Sequence, residues 1–334
     1  REDPAVQGLL YAGTEKGLFV SWNDGDDWQP LDLNLPAVPI TDLRVREDAL
    51  AVATQGRGFW VLDDLFVVRQ AVAADASAPL QLYSPPALAI GRPASDAKDF
   101  EAANPSPHLP IYYRLSEELA EDEALTIDIL DEQGAVLRSY SSKETEHMRC
   151  RIAGMDPRKP FEPEYPSTGA GLQLWHWDLH AGDVRCIDDH TLFEGYGGPV
   201  VAPGAYTVRV SAGDSSASTR VEVLADPRVP ASEAQTREWI ATQQRIYELL
   251  DEVLLALDGA RKARAQVKAL AADYSDEELG KLAEAATLAI DSWEKEITEL
   301  RHETFEDEDA WVMQLDGQLR HLLDVVESGG APVT

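Results

Sequence analysis

The sequence predicts a multidomain protein that is mainly β, with an α-helical part at its C-terminus. Three observations predict this fold class. Residues 1–70 carry short apolar runs separated by Gly, Asp, Asn and Pro, residues 111–226 return to strand-like runs, and residues 227–334 show the 3/4 spacing of helices. The chain has 334 residues, which is enough for two or three compact domains.

Residues 1–70 predict five short strands, which fall at 9–13, 17–21, 40–45, 49–53 and 58–62. Turn residues between consecutive runs are typical of an antiparallel meander. The segment corresponds to one blade of a β-propeller and most of another. A sheet fragment of this size cannot cover its own edges, so we expect upstream chain to complete it.

Residues 71–110 are rich in Pro, Ala and Ser and predict a surface linker. Residues 111–226 predict a β-sandwich of immunoglobulin or fibronectin type. Its strands are expected at 111–115, 125–130, 135–138, 172–179, 204–210 and 218–223. The turn at 203–204 leads into a strand whose Tyr206 could anchor a corner of the sandwich.

Residues 227–334 predict an antiparallel bundle of three helices. Ser232 with Gln235 resembles a capping box for the first helix, and Ser275 with Glu278 resembles one for the second. Gly329-Gly330 is expected to end the third helix. The predicted apolar stripes are Ile246, Leu250, Val253 and Leu257, then Leu279, Leu282, Ala286, Ile290, Trp293, Ile297 and Leu300, then Trp311, Leu315, Leu319, Leu322 and Val326.

The charge balance is strongly acidic, with 60 Asp and Glu residues against 29 Lys and Arg and a net charge of −31. Such a surface repels phosphate backbones, so no nucleic-acid partner is expected. A solvated acidic coat accounts for this composition. No apolar run is long enough to predict a membrane span.

The most specific local pattern is Ser21-Trp22-Asn23-Asp24-Gly25-Asp26-Asp27-Trp28, which fits the Asp-box motif S-x-D-x-G-x-x-W with Asn23 in place of the first Asp. Short polar side chains here can bond to the turn backbone, and Gly25 permits a positive φ. The run lacks the twelve-residue layout of a calcium loop. It therefore predicts a structural Asp box formed by Ser21, Asn23, Gly25 and Trp28, with no cofactor.

His176, Asp178 and His180 alternate along one predicted strand and share a face, with Cys186 and His190 just downstream. One interpretation is a zinc or copper site. The other is a sandwich strand whose Trp175 and Trp177 face the core and whose histidines face solvent. No flanking metal motif supports the first interpretation, so no metal is predicted.

No complete catalytic motif is present in the sequence. Adjacent carboxylates such as Asp63 and Asp64 point to opposite faces of a strand and make a poor acid/base pair. Cys150 and Cys186 are the only two cysteines. A disulfide between them and two free thiols both remain open.

Three stretches together resemble the C-terminal region of large bacterial BNR-repeat, sortilin-like β-propeller proteins that often carry the label glycosyl hydrolase. The first is the Asp-box blade from Leu10 to Trp28. The second is Thr54 to Leu65, similar to the closing segment T-H-G-R-x-x-W-I-L-D-D of that family, with Gln55 replacing the usual His. Its matching residues are Gly56, Arg57, Trp60, Asp63 and Asp64. The third is the order of sandwich, Asp226-Pro227-Arg228 and helices.

The resemblance implies an extracytoplasmic protein, periplasmic or secreted, whose upstream propeller is its main partner. The arginine triad, Tyr/Glu pair and Asp acid of sialidase-like propellers have no match here, and fold likeness alone does not confer activity. We therefore expect a non-catalytic accessory region that closes the propeller and supports protein or glycan binding. The alternatives are a glycoside hydrolase whose active site lies upstream, and a metal-dependent enzyme that uses His176, His180 and His190.

Overall fold

A computed structural model of the chain describes residues 1–31, 33–71, 75, 77–90, 107–143, 151–152, 164–188, 190–192, 195–229, 231–274, 276–301 and 307–329. The protein has a mixed α/β structure, in which several small antiparallel sheets precede three C-terminal helices that pack together.

The strands follow in chain order. They are β1 (Leu10–Thr14), β2 (Gly17–Ser21), β3 (Gln29–Pro30), β4 (Ile40–Arg46), β5 (Ala49–Thr54), β6 (Phe59–Leu62), β7 (Leu80–Leu82), β8 (Leu88–Ala89), β9 (Leu109–Leu115), β10 (Leu125–Leu130), β11 (Val136–Ser141), β12 (Arg151–Ile152), β13 (Gly171–Trp177), β14 (Thr191–Leu192), β15 (Gly204–Ala212) and β16 (Ser215–Leu224). The helices are α1 (Leu65–Ala71), α2 (Glu233–Asp273), α3 (Glu277–Ile297), α4 (Asp307–Ala310) and α5 (Leu315–Gly329).

The first six strands form two three-stranded antiparallel meanders, ordered β1-β2-β3 and β4-β5-β6. The two sheets share one apolar core. Its fully buried members come from both sheets and their flanks: Leu9, Tyr11, Leu18, Val20, Leu43, Leu50, Val52 and Leu65. The strands predicted in residues 1–70 therefore form with nearly the expected bounds, because their apolar residues alternate onto this core.

Helix α1 was not predicted from the sequence, which gave only strands before residue 70. Leu65, Phe66 and Val67 are buried on it. Its Arg69 donates hydrogen bonds to both carboxylate oxygens of Asp3, at 3.1 and 3.0 Å. Asp3 is a buried carboxylate. A paired charge of this kind fixes α1 against the first sheets, since either partner alone would be costly to bury.

Two strands, β7 and β8, lie within the segment 71–110 that the sequence predicted to be a linker. β7 pairs antiparallel with β9, and β8 pairs parallel with β16. The described part of this segment thus extends two sheets, since its backbone pairs with strands that come much later in the chain. Residues 91–106 lie outside the described part.

A five-stranded sheet, β11-β10-β15-β16-β8, packs against a three-stranded sheet, β13-β9-β7. The side chains that face each other between the two sheets form a single apolar core. Its buried members include Leu109, Ile111, Tyr113, Ile127, Ile129, Trp177, Tyr206, Val208, Val210, Val221 and Val223. The hydroxyl of Tyr206 donates to the carbonyl of Ala202 at 2.6 Å, as expected for a corner anchor.

The capping box predicted for the first helix is present. Ser232 Oγ accepts from the backbone N–H of Gln235, whose side chain accepts from the Ser232 N–H. For α3 the N-cap is Asp276, whose carboxylate accepts from the Leu279 N–H at 2.8 Å. The predicted cap Ser275 lies outside the described residues.

Both α3 and α5 pack against α2. The buried residues of α2 include the predicted Ile246, Leu250 and Leu257, whereas Leu254 is buried in place of the predicted Val253. On the other two helices the predicted stripe is wrong in part, although Val326 is buried as predicted. Leu282 and Leu322 are exposed, whereas Ala283 and Leu323 are buried. The reason is the set of buried ion pairs described below, which fixes the rotation of each helix.

Candidate functional site

The Asp box closes a compact loop after β2. Gly25 N–H donates to Ser21 Oγ at 2.9 Å, and Asp27 N–H donates to Asn23 Oδ1 at 2.9 Å. Trp28 Nε1 donates to the Gly25 carbonyl at 3.0 Å, and Gly25 has φ 93°. The side chains of the motif therefore satisfy the loop backbone, which is a structural role.

An open cleft of about 520 Å³ lies between β1 and β4. The Trp28 ring, 42% exposed, forms part of its lining. The strands come closest at Gly13, where an added Cβ would lie 2.5 Å from Ile40 Cγ2. The lining residues of the cleft are Arg1, Glu2, Leu10, Tyr11, Ala12, Gly13, Trp28, Ile40, Thr41, Asp42 and Leu43.

The predicted closing motif forms the β5–β6 turn. Gly56 and Gly58 have φ values of 83° and 71°, so the turn uses the left-handed region twice. Thr54 donates to the Gly58 carbonyl from both its N–H and its hydroxyl. Trp60 Nε1 donates to the carbonyl of Arg57, whose side chain is exposed. The motif is therefore a hydrogen-bonded turn, in which the Trp60 side chain donates to the turn backbone.

Asp63 and Asp64 follow β6 and differ in environment. Asp63 is exposed, whereas Asp64 is half-buried and accepts a hydrogen bond from the Tyr112 hydroxyl at 3.0 Å. Burial, together with the nearby carboxylate of Asp64, raises the pKa of Tyr112. The Tyr112 ring meets Phe66 of α1 edge-on, with centroids 5.7 Å apart. Asp64 therefore joins the first sheets to β9 and does not pair with Asp63 as an acid and a base.

The strand β13 places its two tryptophans as the sequence predicted. Trp177 is fully buried in the core between the two sheets, and Trp175 packs edge-on against Tyr140, with ring centroids 5.0 Å apart. His176 is exposed on the other face, with its ring centroid 6.3 Å from that of His108. The tryptophan face is thus core and the histidine face is the outer face of this strand.

His180 leaves that face, because Leu179 adopts φ 62° and turns the chain. Its Nδ1 lies 2.9 Å from the carbonyl oxygen of Asp178, and its Nε2 lies 2.9 Å from Glu327 Oε1 on α5. Both oxygens are acceptors, so the ring donates from both nitrogens and carries a positive charge. His180 therefore connects the sandwich to the last helix.

The charges around His180 form a mixed cluster. Burial opposes a charge on the ring, but the hydrogen bonds that the ring donates to Asp178 and Glu327 outweigh this effect and raise the pKa of His180 to about 9. Burial also opposes ionisation of Asp178, yet His180 and Arg138 lower its pKa to about 2. Arg138 further pairs with Asp183 at 2.8 Å, and burial raises the pKa of that carboxyl.

His190 lies in a second, separate cluster. It is buried, and its Nε2 lies 3.2 Å from Asp316 Oδ2 on α5, a distance suited to an ion pair without hydrogen-bond alignment. One turn along α5, Arg320 Nε donates to the Gly195 carbonyl at 2.9 Å. The histidines proposed for a metal enzyme are thus divided between different partners. Within the described ranges, no three His, Cys, Asp or Glu residues are grouped to hold a metal ion.

A third cluster joins α2 to α3. Glu294 is buried, and its carboxylate accepts from Arg261 Nε at 2.6 Å and also contacts Arg264. Arg264 further contacts Asp291 at 2.5 Å. Four charged groups from two helices, Arg261, Arg264, Asp291 and Glu294, therefore occupy the position where a bundle normally buries apolar side chains.

Sequence reasoning missed Glu327, Asp316, Arg320 and Glu294 as structural residues. Asp316 and Arg320 are four residues apart and lie one position beyond the apolar residues Leu315 and Leu319. That spacing puts both charges on one helix face and was the available signal. Nothing local marks Glu327, since its partner His180 is 147 residues away.

Cys186 is partly buried beside the apolar cluster that contains Leu250, Leu254 and Leu257 of α2. Cys150, its partner in the possible disulfide, lies outside the described residues, so this pairing stays a hypothesis.

Comparisons of the chain with models of known protein families, with curated proteins and with solved structures gave no match. In the part of the chain that the structure describes, none of the helices combines the length and the apolar character needed to cross a membrane.

Proposed function

We propose that residues 1–70 are the closing sheets of a β-propeller, and that the chain is a non-catalytic accessory region that completes this propeller and supports protein or glycan binding. The β-sandwich, of immunoglobulin or fibronectin type, and the helical bundle form the remainder. Following the resemblance, the proposed location is extracytoplasmic and the main partner is an upstream propeller of the same polypeptide.

The observation that carries the proposal is the exposure of large apolar side chains on the outer face of the second sheet, β4-β5-β6. Alternation along β6 directs Trp60 and Leu62 into the core shared by the two sheets. Phe59 and Val61 point the other way and are 86% and 59% exposed. Large apolar side chains on an open sheet face indicate a missing packing partner. A further sheet, stacked as the first two stack on each other, would cover them.

The carboxylates of the closing motif support a structural role. Asp64 is engaged with Tyr112, and the Asp-box side chains are engaged with their own loop. Glycan cleavage by the longer polypeptide that is lost on substitution of a residue within 1–334 would contradict the non-catalytic assignment. It would favour the glycoside hydrolase alternative instead.

The test is the substitution Phe59→Gln, made both in this chain and in the longer polypeptide that the proposal requires. In this chain the ring is exposed, so we expect an unchanged melting temperature. In the longer polypeptide the same substitution should lower it by several degrees, since a buried aromatic is lost. Leu172→Gln, at a half-exposed residue of β13, is the matched control. Equal behaviour of Phe59→Gln in both contexts, or a gene without upstream strands, would refute the proposal.

A further inference from the structure

The helices α3 and α5 each leave large apolar side chains facing solvent. On α3, Leu282 and Trp293 are 63% and 36% exposed, while the buried positions are Ala283 and Glu294. Ala285 and Ala289 are also exposed. These four residues lie at i, i+3, i+7 and i+11, so they form one stripe about 17 Å long.

On α5, too, the exposed apolar residues come one position before the buried residues. Leu315, Leu322 and Val325 are each substantially exposed, and each comes one residue before a buried one: Asp316, Leu323 and Val326. On α3, Leu282 and Trp293 likewise come one residue before Ala283 and Glu294. One residue corresponds to about 100° of rotation. Each exposed stripe therefore lies about 100° around its helix from the buried positions.

Buried charges hold the helices in this rotation. Glu294 is fixed by Arg261 and Arg264, and Arg320 is fixed by the Gly195 carbonyl. Turning either helix inward would bury its apolar stripe but break these pairs, which costs several kcal/mol for a buried charge. The exposed stripe is therefore a stable property of the fold. Contiguous apolar surface of this kind marks an interaction site.

The charge at the ends of the α3 stripe indicates which partner fits. Glu278 lies four residues before Leu282, and Glu296 lies three after Trp293; both are exposed on the stripe itself. In a second copy packed antiparallel, Glu278 would lie against Glu296. In a parallel copy, each of these glutamates would lie against its own counterpart. Both arrangements place carboxylates together in molecules that already carry −31 each.

We propose that the exposed face of α3 binds an amphipathic helix of a partner protein. This face consists of Leu282, Ala285, Ala289 and Trp293, with Glu278 and Glu296 at its ends. The partner helix presents an apolar stripe of about three turns, with Lys or Arg at both ends about 27 Å apart. The inference is independent of the propeller assignment, since it uses only α2, α3 and α5.

The test is binding of the full chain to a synthetic 20-residue helical peptide with leucines at 3/4 spacing and lysines at both ends. A peptide of the same composition, with its leucines distributed around the helix, controls for charge alone. We expect Leu282→Gln to weaken binding of the patterned peptide about tenfold, as for a central interface residue. The double variant Glu278→Gln/Glu296→Gln should reduce the dependence of affinity on salt. Leu172→Gln and Glu132→Gln, exposed residues of the sandwich, are the matched controls.

Equal affinity for both peptides would overturn the proposal, because attraction to net charge would then explain binding. Unchanged binding by Leu282→Gln would overturn it as well. Self-association that Leu282→Gln abolishes, measured by sedimentation without peptide, would replace the partner helix with a second copy. Since Leu282 is mostly exposed, circular dichroism should show the variant folded.

Discussion

Raising the pH from 6.5 to 9.5 should weaken the attachment of α5 to the sandwich, because His180 loses its charge. Its pKa rises from 6.5 to about 9 on folding, so the charged ring stabilises the folded state. That difference corresponds to about 3 kcal/mol. For a group whose pKa is raised by folding, the stabilisation is fully present below pH 6.5 and disappears as the pH rises through 9.

Asp178 responds in the opposite range. Its pKa is lowered to about 2 on folding, so its contribution is present above its ordinary pKa and is lost only in acid. The window between pH 6.5 and 9 therefore reports on His180. The neighbouring charged groups are Arg138, Asp183 and Glu327.

The measurement is urea unfolding followed by circular dichroism at several pH values between 6 and 9.5. The native protein should lose about 3 kcal/mol of unfolding free energy across this range. His180→Gln keeps a hydrogen-bond donor but cannot titrate, so its profile should be flat and should meet the native one near pH 9.5. His176→Gln, at an exposed histidine of the same strand, should follow the native profile. Identical profiles for the native protein and His180→Gln would refute the reasoning.

Three other substitutions or treatments test the packing. Gly13→Ala should destabilise the contact between β1 and β4 by about 2 kcal/mol, because the added Cβ would lie 2.5 Å from Ile40. The measurement is thermal melting, and the control is Gly204→Ala, whose Cβ would meet no atom within 4 Å. Glu294→Gln should lower the unfolding free energy by about 3 kcal/mol in urea, since it leaves the arginines of α2 without their buried carboxylate, while the exposed Glu284→Gln should not. If Cys150 and Cys186 form a disulfide, reduction should cost about 2–4 kcal/mol, and equal melting with and without reductant would contradict the bond.

The sequence alone determined most strands and the start of α2. Strand bounds such as those of β2 and β10 were predicted to the residue, because alternation of apolar side chains is a local signal. The capping box at Ser232 is equally local, since its hydrogen bonds span three residues. The tryptophan face of β13 was predicted for the same reason.

Only the tertiary structure decided which helix faces are buried and which residues form the clusters. On α3 the apolar residues alone predicted that Leu282 and Trp293 face inward, but the pairing of Glu294 with the arginines of α2 rotates them outward. The sequence grouped His180 with His190, whereas α5 separates them by offering a different carboxylate to each. The spacing of apolar residues in the sequence carries information only about the helix or strand in which they lie. The partner of a buried charge lies on another element, 33 residues away for Glu294 and Arg261 and 147 residues away for Glu327 and His180. The two meet only once the chain has folded.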